Sequence, residues 1–261
     1  MDPVKVSAAL GTVLVAGATT YGVSTLWNTP SWTHISLDDG TLSSKYADNY
    51  RHYFVGATDE NKNWWSWSLK NRWSKDKNDS DESKRPGFGF KDVLDDWKKL
   101  KEKCDEAYKK QISEISKTTS ETQYLERDVW RYCSPGFAGK PTTVQEKDST
   151  TYQAQDDSYG KTQGTKLISV TDENNDWFWQ IQQDRFFGIG RYQGITAEGS
   201  SGINKDTDSL FHALYESGNS HSRSIVKEIC KEAYFVKTTK EENKPTATQA
   251  NVFKFCSLEG K

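Results

Sequence analysis

Four cysteines, Cys104, Cys133, Cys230 and Cys256, are the residues whose type and spacing most plainly carry chemistry. Four cysteines allow three pairings. Cys104-Asp105-Glu106-Ala107-Tyr108 returns as Cys230-Lys231-Glu232-Ala233-Tyr234, and an aromatic segment ending in a second cysteine follows each copy. Those segments are Val129-Trp130-Arg131-Tyr132-Cys133-Ser134 and Val252-Phe253-Lys254-Phe255-Cys256-Ser257. The recurrence selects the pairs Cys104–Cys133 and Cys230–Cys256, and closing loops of this size is worth roughly 3 kcal/mol each in the chain-entropy picture. Two other readings stay open. One is four buried thiols, which would suit the aromatic neighbours equally well; the other is a zinc site of all four cysteines, less supported because no close Cys-x-x-Cys spacing is present.

The recurring carboxylates Glu106 and Glu232 are candidates for general acid or base work, but each sits beside a packed Ala and Tyr, where a solvated or ion-paired role suffices. His34, His52, His212 and His221 lack a metal-ligand spacing, and none recurs. Gly87-x-Gly89 and Gly188-x-Gly190 lack the third glycine of a phosphate loop, and no Gly-x-Ser-x-Gly elbow occurs. No catalytic, cofactor-binding or metal-ligating residue is therefore assigned. The tryptophans remain as contact aromatics: Trp64, Trp65, Trp67, Trp177 and Trp179. Neighbouring helical positions differ by about 100°, so one helix face cannot hide all of a Trp64-Trp65-Trp67 cluster. An exposed indole can stack on a sugar or anchor a protein contact. Packing between helix and strand is the alternative.

The elements that would position these residues also recur. Thr58-Asp59-Glu60-Asn61 runs into Trp64 and Trp65, and Thr171-Asp172-Glu173-Asn174 runs into Trp177 and Phe178. Three blocks in the same order twice indicate an internal duplication. Thr58 or Asp59 caps a helix, with Glu60 favourable in its first turn. From Phe90 through Val93, Leu94, Trp97, Leu100, Cys104, Ala107, Tyr108 and Ile112 to Ile115, apolar residues advance mostly by threes and fours, as on one helix. A broken version spans Leu210 to Tyr234. The segments ending at Cys133 and Cys256 alternate as strands do. The expected fold is α+β and helix-rich: an N-terminal transmembrane helix, then two homologous repeats, each a helix pair plus a short aromatic strand tied by a disulfide. The expected segments are an anchor or signal sequence (1–27), a tether (28–49), repeat 1 (50–137), a linker (138–164) and repeat 2 (165–261).

Val4 to Leu26 is apolar or small apart from Lys5, long enough to span a bilayer as a helix of about 20 residues. Ala8, Thr12, Ala16, Thr20 and Ser24 form a small-residue stripe. Lys5 before the span and Asp38 and Asp39 after it favour an inside N-terminus and an extracellular body. A cleaved signal sequence, giving a secreted protein, is the competing reading, with Ala16-Gly17-Ala18 as cleavage site. A buried core helix is the third. Across 261 residues the net charge of −2 gives no reason to expect nucleic acid, and the 33 aromatics offset a mean hydropathy of −0.87 that would otherwise suggest disorder (10 Trp, 12 Tyr and 11 Phe).

The opening Met1-Asp2-Pro3-Val4-Lys5, the Val-Trp-Arg-Tyr-Cys-Ser segment and the Cys-x-Glu-Ala-Tyr block resemble uncharacterised paralogous proteins of haemotropic mycoplasmas. The likeness covers most of the chain. It implies a membrane-anchored surface or antigenic protein of unknown activity. Together with the anchor, the duplication, the polar loops and the lack of an active-site signature, the expected function is host or partner contact or antigenic display, non-enzymatic and without cofactor. The partners expected are the membrane, through residues 4–26, and a host-surface protein or glycan. An exported hydrolase-type enzyme acting on host polymers, or a carbohydrate-binding module using its Trp clusters, is the alternative.

Overall fold

In the first half a buried asparagine, Asn61, gathers the chain: its side chain accepts from Thr33 N at 2.8 Å and donates to Thr33 O and Gly56 O. Asn175 does the same in the second half with Thr142 N, Thr142 O and Ser169 O. The computed structural model describes residues 29–118, 120–136, 138–189, 197–200, 203–217, 225–239 and 244–259. The expected span at 4–26, with the whole 1–27 segment, lies outside them. Among the described residues no helix is long and apolar enough to cross a membrane.

The regular structure among the described residues is eleven helices and one two-stranded sheet, a helix-rich α+β arrangement. In the first half α1 (Lys62–Ser68) passes through a π-helical turn, Leu69–Trp73, into α2 (Ser74–Lys77). Helices α3 (Trp97–Tyr108) and α4 (Glu126–Cys133) follow, with β1 (Ile115–Ser116) pairing in parallel with β2 (Tyr124–Leu125) between them. The second half opens with three single turns, α5 (Val144–Lys147), α6 (Ser149–Tyr152) and α7 (Tyr159–Thr162). It continues through α8 (Asp176–Phe187), α9 (Ser209–Ser217), α10 (Ile225–Ala233) and α11 (Gln249–Cys256).

Several expectations need correction. The segments ending at Cys133 and Cys256 are helices α4 and α11, not strands. Val129, Trp130, Tyr132 and Cys133 are all buried, so the apparent alternation reflects a helix enclosed on most sides. Burial here overrides the strand preference of Val and aromatics. The long apolar stripe is not one helix either. Phe90 and Val93 are buried in turns, Leu94 and Asp95 adopt positive φ (56° and 55°), and α3 starts where the Asp96 side chain accepts from Lys98 N.

The expected tether and linker are also packed chain. Trp32, Ile35, Leu42 and Tyr46 of the first, and Val144, Tyr152 and Tyr159 of the second, belong to the core. Few large side chains suffice to bury a polar-looking segment, because each aromatic covers so much area.

Recurring contacts extend beyond the two asparagines. The Tyr108 hydroxyl lies 2.8 Å from Val55 O and 3.1 Å from Cys133 O; that of Tyr234 lies 2.7 Å from Ile168 O and 3.2 Å from Cys256 O. Antiparallel bridges His34–Val55 and Thr143–Ile168 close both halves. The register differs by one from the sequence blocks: Asn175, not Asn174, plays the part of Asn61. Accordingly Phe178 and Trp179, edge-on at 4.7 Å, match Trp64 and Trp65 at 4.8 Å.

The halves share one core. Tyr53 stacks on Phe178, and Trp177 stands edge-on to Trp32 at 6.1 Å. Gly136 is required at this seam, because a Cβ there would meet the Trp177 ring at 1.6 Å.

Candidate functional site

Cys104 is bonded to Cys133 and Cys230 to Cys256, each pair with Cα atoms 5.7 Å apart. The bonds tie α3 to α4 and α10 to α11. They close loops of 29 and 26 residues, each worth roughly 3–4 kcal/mol on the chain-entropy estimate. No described cysteine is free.

The expected contact aromatics are mostly interior. Trp64 and Trp65 are fully buried and Trp179 nearly so. Trp67 is half-buried under the Arg72 guanidinium at 4.9 Å, and half-buried Trp177 lies against Trp32 and Gly136. The Trp179 indole donates to Ser169 O at 3.3 Å, whereas those of Trp64 and Trp65 are buried without an acceptor. The five do not form an open stacking row.

Glu106 and Glu232 each line a cleft, and the two clefts occupy equivalent places. In each, the wall is the end of the helix carrying the first cysteine, and the opposite wall is the segment leading into the helix that ends at the second. Thr122, Gln123 and Tyr124 line the first cleft; Pro245, Thr246 and Ala247 line the second. Counting back from Cys133 and Cys256 pairs Tyr124 with Ala247.

In the first half the cleft is plugged. Tyr124 is buried, its ring edge-on to Phe90 at 5.5 Å, and its hydroxyl donates to Glu106 Oε2 at 2.6 Å. Lys103 reaches the same oxygen at 2.9 Å. Partial burial works against the Glu106 charge, but the bonds from Tyr124 and Lys103 hold its carboxyl below the ordinary range. Burial and the Glu106 bond together push the Tyr124 phenol up, so it remains a donor. The remaining space is about 260 Å³.

The second cleft measures about 690 Å³. Its floor is Leu210, Tyr159 and Ala247, with the Tyr159 hydroxyl donating to Ala247 O at 3.1 Å. Where the first half has Lys103, Lys109 and Lys110, the second has Ile229, Phe235 and Val236. The Glu232 carboxylate is exposed and, among the described residues, has no hydrogen-bond or ion-pair partner. This asymmetry was visible in the sequence: the Cys-x-Glu-Ala-Tyr blocks align the two acids, and the flanking substitutions follow.

Among the described residues no cluster of three metal-ligating side chains exists, and His221 lies outside them. His34 and His52 face each other at 5.6 Å. Burial, then the nearby Arg185, pushes His52 down to about 3, so it stays neutral. Arg185 is fully buried and holds Glu198 through two bonds of 3.0 and 2.9 Å, with Lys254 on the same carboxylate.

Compared with protein-family models, curated proteins and solved structures, the chain matches none.

Proposed function

We propose that the chain is an exported, membrane-anchored surface protein that works by contact with a host or partner surface, or in antigenic display, rather than by catalysis. In this reading it carries two copies of one duplicated unit behind an N-terminal membrane helix. The observation that carries the reading is the pair of disulfides, one closing each half, since such bonds persist mainly in oxidising compartments. The resemblance to paralogous surface proteins of haemotropic mycoplasmas points the same way. The matched hydrogen bonds of Tyr108 and Tyr234, and of Asn61 and Asn175, support the duplication.

The competing reading, an exported hydrolase, draws on the open cleft at Glu232. Glycoside hydrolysis usually takes two carboxylates across the scissile bond. Glu232 is the one carboxylate among the described residues lining that cleft, and no tryptophan lines it. Contact therefore remains the better reading.

The test is protease shaving of intact cells, followed by host-cell binding of the full chain in vesicles. Loss of a C-terminal epitope on shaving, with saturable binding, supports the proposal. Protection of the body from protease overturns the localisation and the contact role together.

A further inference from the structure

We propose that the second cleft is a receptor for a tyrosine side chain of a partner protein, with the phenol hydroxyl donating to Glu232. The inference deepens the contact reading only in naming the source of that tyrosine.

The first half supplies the template. Its carboxylate, Glu106, stands two residues after Cys104 and receives the Tyr124 hydroxyl at 2.6 Å. Glu232 stands two residues after Cys230 on the equivalent helix, but the plug position holds Ala247. Leu210 lies on the cleft floor beside Ala247 and brings no polar atom to the carboxylate. Lys103, the other donor to Glu106, is replaced by Ile229. Glu232 has thus lost both donors that satisfy its counterpart.

The rim has changed in the same direction. Lys110, which lines the first cleft and pairs with Glu114, gives way to Val236, and its neighbour Lys109, paired with Asp105, gives way to Phe235. Phe235 is 42% exposed although its ring packs on Tyr152 at 4.9 Å, so it is held at the lip rather than withdrawn. A cleft about 690 Å³ in volume, with Phe235 and Val236 at a lip that also carries Lys237 and Lys244, an apolar floor and an acceptor carboxylate, suits a flat apolar group ending in a donor. Tyrosine combines those properties and is enriched in the buried centres of protein contacts.

The test uses the full chain and 4-methylphenol, the tyrosine side chain as a free molecule, with toluene as the analogue lacking the hydroxyl. Binding is read from NMR shifts of the Thr246–Gln249 amides. Saturable binding of 4-methylphenol is expected, at least about tenfold tighter than toluene, because the bond is to a charged acceptor. Ala247→Tyr should abolish it by restoring the plug. Glu232→Gln, at an exposed position that leaves the fold intact, should reduce the preference over toluene about tenfold. Absence of saturable binding overturns the proposal, as does equal binding of toluene or undiminished binding by folded Ala247→Tyr. These outcomes are independent of the shaving result. Failure here with exposed, host-binding protein removes the cleft assignment alone, and phenol binding by a protease-protected body removes the surface role alone.

Discussion

The Tyr53 ring lies stacked on Phe178, centroids 5.7 Å apart and planes 28° from parallel, and this contact joins the two halves of the chain. The Tyr53 hydroxyl accepts from Gln182 Nε2 at 2.8 Å and lies 3.4 Å from Ser257 O. Full burial raises its pKa to about 12 despite Arg185 nearby, so it stays protonated in neutral solution. A seam built this way makes the halves one cooperative body. Urea unfolding followed by fluorescence and by far-UV circular dichroism should give coincident single transitions. Tyr53→Ala should cost about 3–5 kcal/mol and Tyr53→Phe about 1–3 kcal/mol, the second reporting only the stranded polar groups. Two separated transitions in the unmodified chain would show that the seam does not couple the halves.

The matched asparagines make a sharper test of the register. Asn61→Ala and Asn175→Ala each strand a Thr N–H and take one of two donors from each of two buried carbonyls, so each should cost roughly 1–3 kcal/mol. Asn174→Ala, at an exposed position whose side chain bonds, among the described residues, to Asp172 alone, should cost less than about 1 kcal/mol. If Asn174→Ala proves the more damaging of the last two, the register drawn from the sequence blocks is right and the structural one is not.

The reason that register slipped is instructive. Thr58-Asp59-Glu60-Asn61 and Thr171-Asp172-Glu173-Asn174 are identical strings, so reading them by identity forces the asparagines into line. The fold instead follows the buried amide, and a second asparagine, Asn175, was present to take it. The cysteine pairing was legible because Cys104, Cys133, Cys230 and Cys256 recur with their flanking blocks intact. The helices ending at Cys133 and Cys256 were not, because period-two patterning over five residues cannot separate a strand from a helix buried on most sides. Nor were Trp32, Tyr46, Tyr152 and Tyr159, each alone in polar surroundings, legible as core. The cleft was half-legible: Glu106 and Glu232 aligned at once, but the Tyr124 plug lies outside every recurring block.

The disulfides give a prediction independent of the seam. Mass spectrometry of the unreduced protein should recover peptides linking Cys104 to Cys133 and Cys230 to Cys256. Replacing either pair by serine should cost roughly 3–4 kcal/mol, since the closed loops are of similar length. Reduction of both should lower stability by about the sum, as the two bonds lie in separate halves. A dominant Cys104–Cys230 peptide, or no change in the denaturation midpoint on reduction, would falsify this pairing.

His52 contributes to the acid side of the stability profile. Its folded pKa of about 3 lies below the ordinary value of 6.5, through burial first and then the charge of Arg185, with Glu198 opposing and His34 and Lys254 adding to the effect. A depressed histidine pKa means that the unfolded chain binds the proton first. The contribution is therefore present above pH 6.5 and is lost progressively as pH falls from about 6.5 towards 3. Between pH 7 and 5 the loss assignable to this one ring is about 2 kcal/mol. His52→Gln should flatten the stability profile across that interval while carrying its own constant cost from altered packing. The direct measurement is an NMR titration of the folded protein, in which the His52 ring protons should hold their neutral shifts down to pH 5. A midpoint near 6.5 for that ring would mean that the Arg185–Glu198–Lys254 surroundings do not exclude a second positive charge.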